Sequence, residues 1–166
     1  ISPLTTHLEV KKILKKISEK NFIFNKIKSL DMVLKKQLKI KKPKFIISGF
    51  NPHAGENGTL GNEDRNLISK SIIKLRKKKV NIVGPFSADS ILLNDNMNKY
   101  DCFIFIYHDQ ALIPFKLISN YNGINFTGGL KIKRVSPDHG TAYNIVGKNI
   151  ARGKSLLKCF KFFDKK

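Results

Sequence analysis

Apolar residues recur along this chain with two different periods, and the switches between them mark out alternating helices and strands. Val10, Ile13, Leu14 and Ile17 fall at helical spacing behind residues 6–9 (THLE), which have the capping-box form, so a helix is predicted to begin close to His7. A second amphipathic helix carries Ile23, Ile27, Leu30, Leu34 and Leu38 on one face and mostly lysine on the other, and Pro43 closes it. Residues 44–50 (KFIISGF) form a short apolar strand that empties into the loop NPHAGENGTLGNED. Helix is expected again over residues 63–77, with Ile68, Ile72 and Leu75 on its buried side.

The second half repeats the alternation. NIVGPF (81–86) predicts a strand ending in a Gly-Pro turn, with a short helix after Ser87. Residues 100–107 (YDCFIFIY) are apolar without alternation, as a strand buried on both faces must be. A short helix over 110–119, two weaker strands in GINFTGG and KIKRVS, a last loop and helix opened by DHGTA, and an amphipathic helix over 155–163 complete the chain. Strands alternating with helices predict an α/β fold, with a largely parallel sheet flanked by helices on both faces. The length of 166 residues and an apolar fraction of 41% suit one core, so residues 1–166 are expected to form a single α/β unit.

Composition changes this picture little. The longest apolar run, 102–107, is far short of the roughly 20 residues that span a bilayer, so a soluble protein is expected. Ile1 is not methionine and no leader-like run follows it, which points to an internal start and not to a secretory signal. Cys102 and Cys159 offer neither a disulfide framework nor metal-binding spacing, and a reducing cytoplasm is the expected setting. The net charge of +20 invites a nucleic-acid reading. Yet only Arg65, Arg76, Arg134 and Arg152 are arginine, and the lysines spread over helix faces instead of clustering with exposed aromatics. A biased coding composition is the plainer explanation, and a basic nucleic-acid-binding module is kept as an alternative.

In a parallel sheet, ligands gather at the carboxyl ends of strands. That rule selects His53, after KFIISGF, and His108, after YDCFIFIY, while His7 could complete a set of three. Three neutral imidazoles with an open fourth position suit a catalytic divalent metal, although a histidine taken singly is more often a surface or hydrogen-bonded residue. Gly55, Gly58 and Gly61 match neither a Walker loop nor a dinucleotide fingerprint, and their generic role is a loop needing positive φ. Lys116, Asn125 and Arg134 lie in or near element ends where they could bind an anionic substrate.

Taken together, the segments TTHL, NPHAGENGTLGNED, GPFSADS, YHDQALIPFK, GINFTGGL and DHGTA resemble the 4-hydroxythreonine-4-phosphate dehydrogenase family of vitamin B6 synthesis. They occur in the family's order from end to end of the chain, and correspond to its C-terminal half. The resemblance implies an isocitrate/isopropylmalate dehydrogenase-like fold and a homodimer whose subunits share a divalent metal (zinc, magnesium or cobalt) held by His7, His53 and His108. It implies substrate contacts from Lys116, Asn125 and Arg134. DHGTAYNIVGKNIA is also similar to the adenosine-binding loop of the related dehydrogenases, which implies His139, Gly140, Thr141, Ala142 and Asn144 as neighbours of NAD or NADP. The activity implied is oxidation of 4-phosphooxy-threonine followed by decarboxylation, in pyridoxal phosphate biosynthesis. Alternatives are a dehydrogenase of a related phosphorylated hydroxy acid (phosphothreonate or phosphoerythronate) and a fragment that folds without catalysing. Ala111, Gly128 and Pro137 depart from the family's usual motifs without removing a named ligand.

Overall fold

A computed structural model describes residues 1–164, apart from the side chain of Asn94. The chain divides into two compact units, Ile1–Leu112 and the residues from Ile113 onward, where the sequence pattern had suggested one. The boundary falls inside a helix, close to Pro114, which has no N–H to give to the helical ladder.

The first unit holds a four-stranded sheet, all parallel, in the order β1 (Ser2–Pro3), β4 (Cys102–Phe105), β2 (Lys44–Ser48), β3 (Asn81–Phe86). Helix α1 (Val10–Ile17), helix α2 (Phe22–Lys36) and helix α3 (Lys70–Lys77), which continues from π-helical turns over Asp64–Ser69, belong to its larger core. Ile13, Ile17, Ile23, Ile27, Ile72 and Leu75 are buried there with Phe45, Ile47 and Ile104 of the sheet. Ile46, Phe103 and Phe105 point to the opposite face, where Ile91 and Ala111 meet them. That two-sided burial is why β2 and β4 read as unbroken apolar runs. Short helix α4 (Asn94–Met97) lies beyond a turn that starts at Ser87.

Three expectations about local structure are corrected. β1 was absent from the sequence reading, because two residues carry no periodicity. The capping box at residues 6–9 does not form: Glu9 is the N-cap without a side-chain cap bond, and its carboxylate pairs instead with Lys11 and Lys12. His7 therefore lies on the segment between β1 and α1 and not in a helical first turn. DHGTA leads only into a single 3-10 turn, Tyr143–Ile145.

The second unit is thinner. Helix α5 (His108–Ser119) enters it, and β5 (Ile124–Thr127) pairs antiparallel with β6 (Arg134–Pro137) as a ribbon outside the parallel sheet. Phe126, on one ribbon face, meets Phe162 of helix α6 (Lys154–Phe163) with ring centroids 5.5 Å apart. Among the described residues beyond Leu112, Cys159 is the one buried apolar side chain.

Candidate functional site

Strand order decides which histidines meet. β1 and β4 are neighbours, so the segments leaving their carboxyl ends run side by side. Leu4 N donates to Phe105 O at 2.8 Å and Thr5 N to Ile106 O at 3.1 Å, extending the pairing past β1. The Thr5 hydroxyl donates to the same Ile106 carbonyl at 2.9 Å. Two residues on, the His7 and His108 rings lie with centroids 5.5 Å apart, tilted by 44°. They share an open pocket of about 160 Å³ with Thr5, Leu8, Tyr107 and Asp109.

His108 is oriented by its own neighbour, since Asp109 Oδ1 lies 2.6 Å from His108 Nδ1. A carboxylate can only accept there, so Nδ1 carries the proton and a neutral ring presents the Nε2 lone pair.

His53 leaves the end of β2, beside β3, and its contacts are different. Ser87 Oγ, just past β3, lies 3.5 Å from His53 Nδ1, long for a hydrogen bond, and donates to Asp89 Oδ1 at 2.6 Å. With its proton spent on Asp89, the hydroxyl can only accept from His53, which again leaves Nε2 free. The Ser87 bond is the main reason that the Asp89 carboxyl is held below its ordinary range, and His53 adds a smaller electrostatic contribution.

The loop carrying His53 is left-handed over five successive residues, with φ of 50°, 53°, 83°, 41° and 56° from His53 to Asn57. For the non-glycine residues among them this costs roughly 1–3 kcal/mol each and persists only if the surroundings over-determine it. Asp64 and Glu63, the acidic pair that ends the loop, supply the constraint. The buried Asp64 carboxylate accepts from Phe50 N at 2.7 Å, Asn51 N at 3.1 Å and Asn51 Nδ2 at 3.0 Å. Glu63 Oε2 accepts from Asn51 Nδ2 at 2.9 Å. Glu63 is held below the usual carboxylate range first by its own backbone N–H and then by Asn51.

Gln110 had also escaped the sequence reading. Its side-chain oxygen accepts from Ile106 N and from Ser48 Oγ, and its amide donates to Gly49 O, which ties the ends of β4 and β2 together. The signal was position: a polar residue two places after His108.

In the second unit, ribbon register places Asn125 opposite Ser136 and Thr127 opposite Arg134, so all four side chains share the face away from Phe126. Arg134 Nη1 donates to Thr127 Oγ1 at 2.8 Å. Lys116 pairs with Asp138 Oδ2 at 3.1 Å, so an anion binding there must compete with that carboxylate. His139, Gly140, Thr141 and Asn144 lie on an exposed or half-exposed loop, His139 Nδ1 being 3.1 Å from Gly140 O and Ala142 left-handed at φ 49°. No helix among the described residues is long and apolar enough to cross a membrane.

Two of the three predicted metal ligands thus come together, and among the described residues no three His, Cys, Asp or Glu side chains of this chain gather into a metal site. The paired His7 and His108 rings, with the His108 Nε2 lone pair available, suit two ligands of a divalent ion and require a further donor.

The chain is 38% identical over 158 residues to a 4-hydroxythreonine-4-phosphate dehydrogenase of Sulfurihydrogenibium, covering 95% of this chain and 48% of the relative. It is 42% identical over 149 residues to that of Zymomonas mobilis, covering 90% and 44%. The crystal structure of the Klebsiella pneumoniae 4-hydroxythreonine-4-phosphate dehydrogenase superposes with a TM-score of 0.82 at 33% identity, over 96% of this chain and 47% of that one. The chain therefore spans about half the length of the curated relatives it matches. The sequence pattern of the family described as pyridoxal phosphate biosynthetic protein PdxA matches residues 1–163, and the chain belongs to that family.

Proposed function

We propose that this chain is the C-terminal half of a nicotinamide- and divalent-metal-dependent dehydrogenase that oxidises 4-phosphooxy-threonine and acts as a homodimer. The observation that carries the reading is the His7–His108 pair at the carboxyl edge of the sheet, in a chain whose motifs match the family throughout. His7 and His108 would hold the ion (zinc, magnesium or cobalt) together with the His53 of a second copy.

When bound, the ion would polarise the reacting substrate oxygen and the nicotinamide would accept the hydride, giving a β-keto acid that loses carbon dioxide. The chain's own residues bind and orient. Asp109 keeps the proton of His108 on Nδ1, which leaves the Nε2 lone pair free. Arg134 and Lys116 supply fixed positive charge for the phosphate and carboxylate groups, with Asn125 beside Arg134 as a neutral hydrogen-bonding partner. The 139–144 loop, with His139, Gly140, Thr141, Ala142 and Asn144, would take the adenosine end of NAD or NADP.

The test is metal analysis of the full-length protein together with NAD reduction in the presence of 4-phosphooxy-threonine. His53→Ala and His108→Ala should each abolish turnover while far-UV circular dichroism stays unchanged; wild-type turnover in either variant sinks the ligand set. Arg134→Ala should raise KM for the substrate roughly tenfold, the value of one charge-assisted contact, and leave the fold intact. Phosphothreonate and phosphoerythronate assayed beside it would reassign the substrate if either is turned over faster.

A further inference from the structure

We infer that Asp64 is a positioning residue for His53, holding the left-handed loop in register on both sides of the imidazole. The inference rests on the reading of His53 as a metal ligand and adds the device that sets its place.

Asp64 sits eleven positions after His53, at the start of the next helical segment, and is 1% exposed. None of its carboxylate bonds goes to its own helix. All three go to Phe50 and Asn51, immediately upstream of His53. Among the described residues it forms no ion pair, so these N–H donors alone compensate a buried charge, which fixes their positions tightly. Asn51 then passes the constraint forward, its carbonyl accepting from Ala54 N at 3.1 Å.

The same carboxylate also abuts the loop downstream of His53. A Cβ built on Gly55 would lie 3.3 Å from Asp64 Oδ2, and one built on Gly49 would lie 2.9 Å from Oδ1 and 2.6 Å from Ala54 Cα. The strand end, the carboxylate and the residues flanking His53 are therefore packed without slack. Asp64 touches neither substrate nor metal in this arrangement; it determines where the imidazole stands.

The experiment compares Asp64→Asn, Asn51→Ala, His53→Ala and the control Asp31→Asn in the full-length protein. Asp31 is also buried, and pairs with Lys35 on α2 at 2.6 Å. Zinc affinity by chelator competition, the thermal midpoint and the His53 imidazole NMR signals are read for each. Asp64→Asn should weaken zinc binding by about tenfold or more and move the His53 signals, the range found when groups supporting a ligand are lost. Asn51→Ala should give a smaller loss in the same direction, and it decides the matter if Asp64→Asn does not fold. Asp31→Asn should lower the midpoint and leave zinc affinity alone.

Wild-type zinc affinity in folded Asp64→Asn and in Asn51→Ala, while His53→Ala is impaired, overturns the inference. If His53→Ala itself binds zinc normally, the ligand reading fails instead. The His53 signals then judge Asp64 by themselves, and unmoved signals in Asp64→Asn overturn its positioning role.

Discussion

The two units of this chain present candidate site residues in opposite ways. In the first, His7, His53 and His108 stand on segments leaving a parallel sheet, and each segment is tied down by Thr5, Asp64 or Gln110 through hydrogen bonds of 2.7–3.1 Å. In the second, Asn125 and Arg134 ride on a two-stranded ribbon, and the 139–144 loop has almost nothing buried beneath it. Isolated ribbons are marginal in water. Metal coordination tolerates little positional error, and its candidate ligands stand on the unit that holds the buried core. Long Lys116 and Arg134 side chains can reach a polyanion from a frame with little buried beneath it.

Core truncation probes that contrast most strongly. Phe45 is fully buried between α-helical and sheet layers, and Phe45→Ala should cost about 3–5 kcal/mol in urea unfolding. Phe162→Ala, which removes a half-buried ring from the second unit, should cost about 1 kcal/mol, chiefly its contact with Phe126. Equal losses would erase the distinction between the units.

Alkaline unfolding separates the two cysteines. Burial pushes the Cys102 thiol up from 9.0 to about 11. Its folded pKa lies above the unfolded one, so the folded state resists deprotonation and stability falls as pH rises from 9 towards 11. The loss should approach about 2–3 kcal/mol by the top of that window. A Cys102→Ala protein should lose this part of the pH dependence in urea unfolding at pH 8 and pH 11, whereas Cys159→Ala should retain it.

Glycine replacement gives the finest comparison. Gly49→Ala would drive a methyl into Ala54 and Asp64, and should cost about 1–3 kcal/mol in thermal unfolding. Gly140 has no atom within 4 Å of the built Cβ, and Gly140→Ala should stay within about 0.5 kcal/mol of the parent.

The sequence made the α/β alternation legible because apolar runs such as 45–47 and 102–106 are buried on both sheet faces, and periodicity reports burial. It also located His53 and His108, since both follow a strand that is itself visible. It did not reveal β1, whose two residues pair only because β4 lies alongside. It misplaced His7 for the same reason: the Thr6–Glu9 pattern is local, whereas the segment just before it is held at Thr5 by a carbonyl 101 residues away. Asp64 and Gln110 were hidden because most of their partners are backbone groups, which every residue carries. The ribbon strands were visible, but not their separation from the parallel sheet, because pairing direction leaves no trace in a four-residue pattern.

The strand order β1-β4-β2-β3 has a consequence for synthesis at the ribosome. β1 leaves well before its partner and cannot pair with it until Cys102–Phe105 has emerged, and by then α1, α2, β2, α3 and β3 are already free to collapse. Closing so long a loop is the slow kind of contact. The His7–His108 pair is thus among the last features of the first unit to form, and its appearance in a refolding chain would time the completion of the whole sheet.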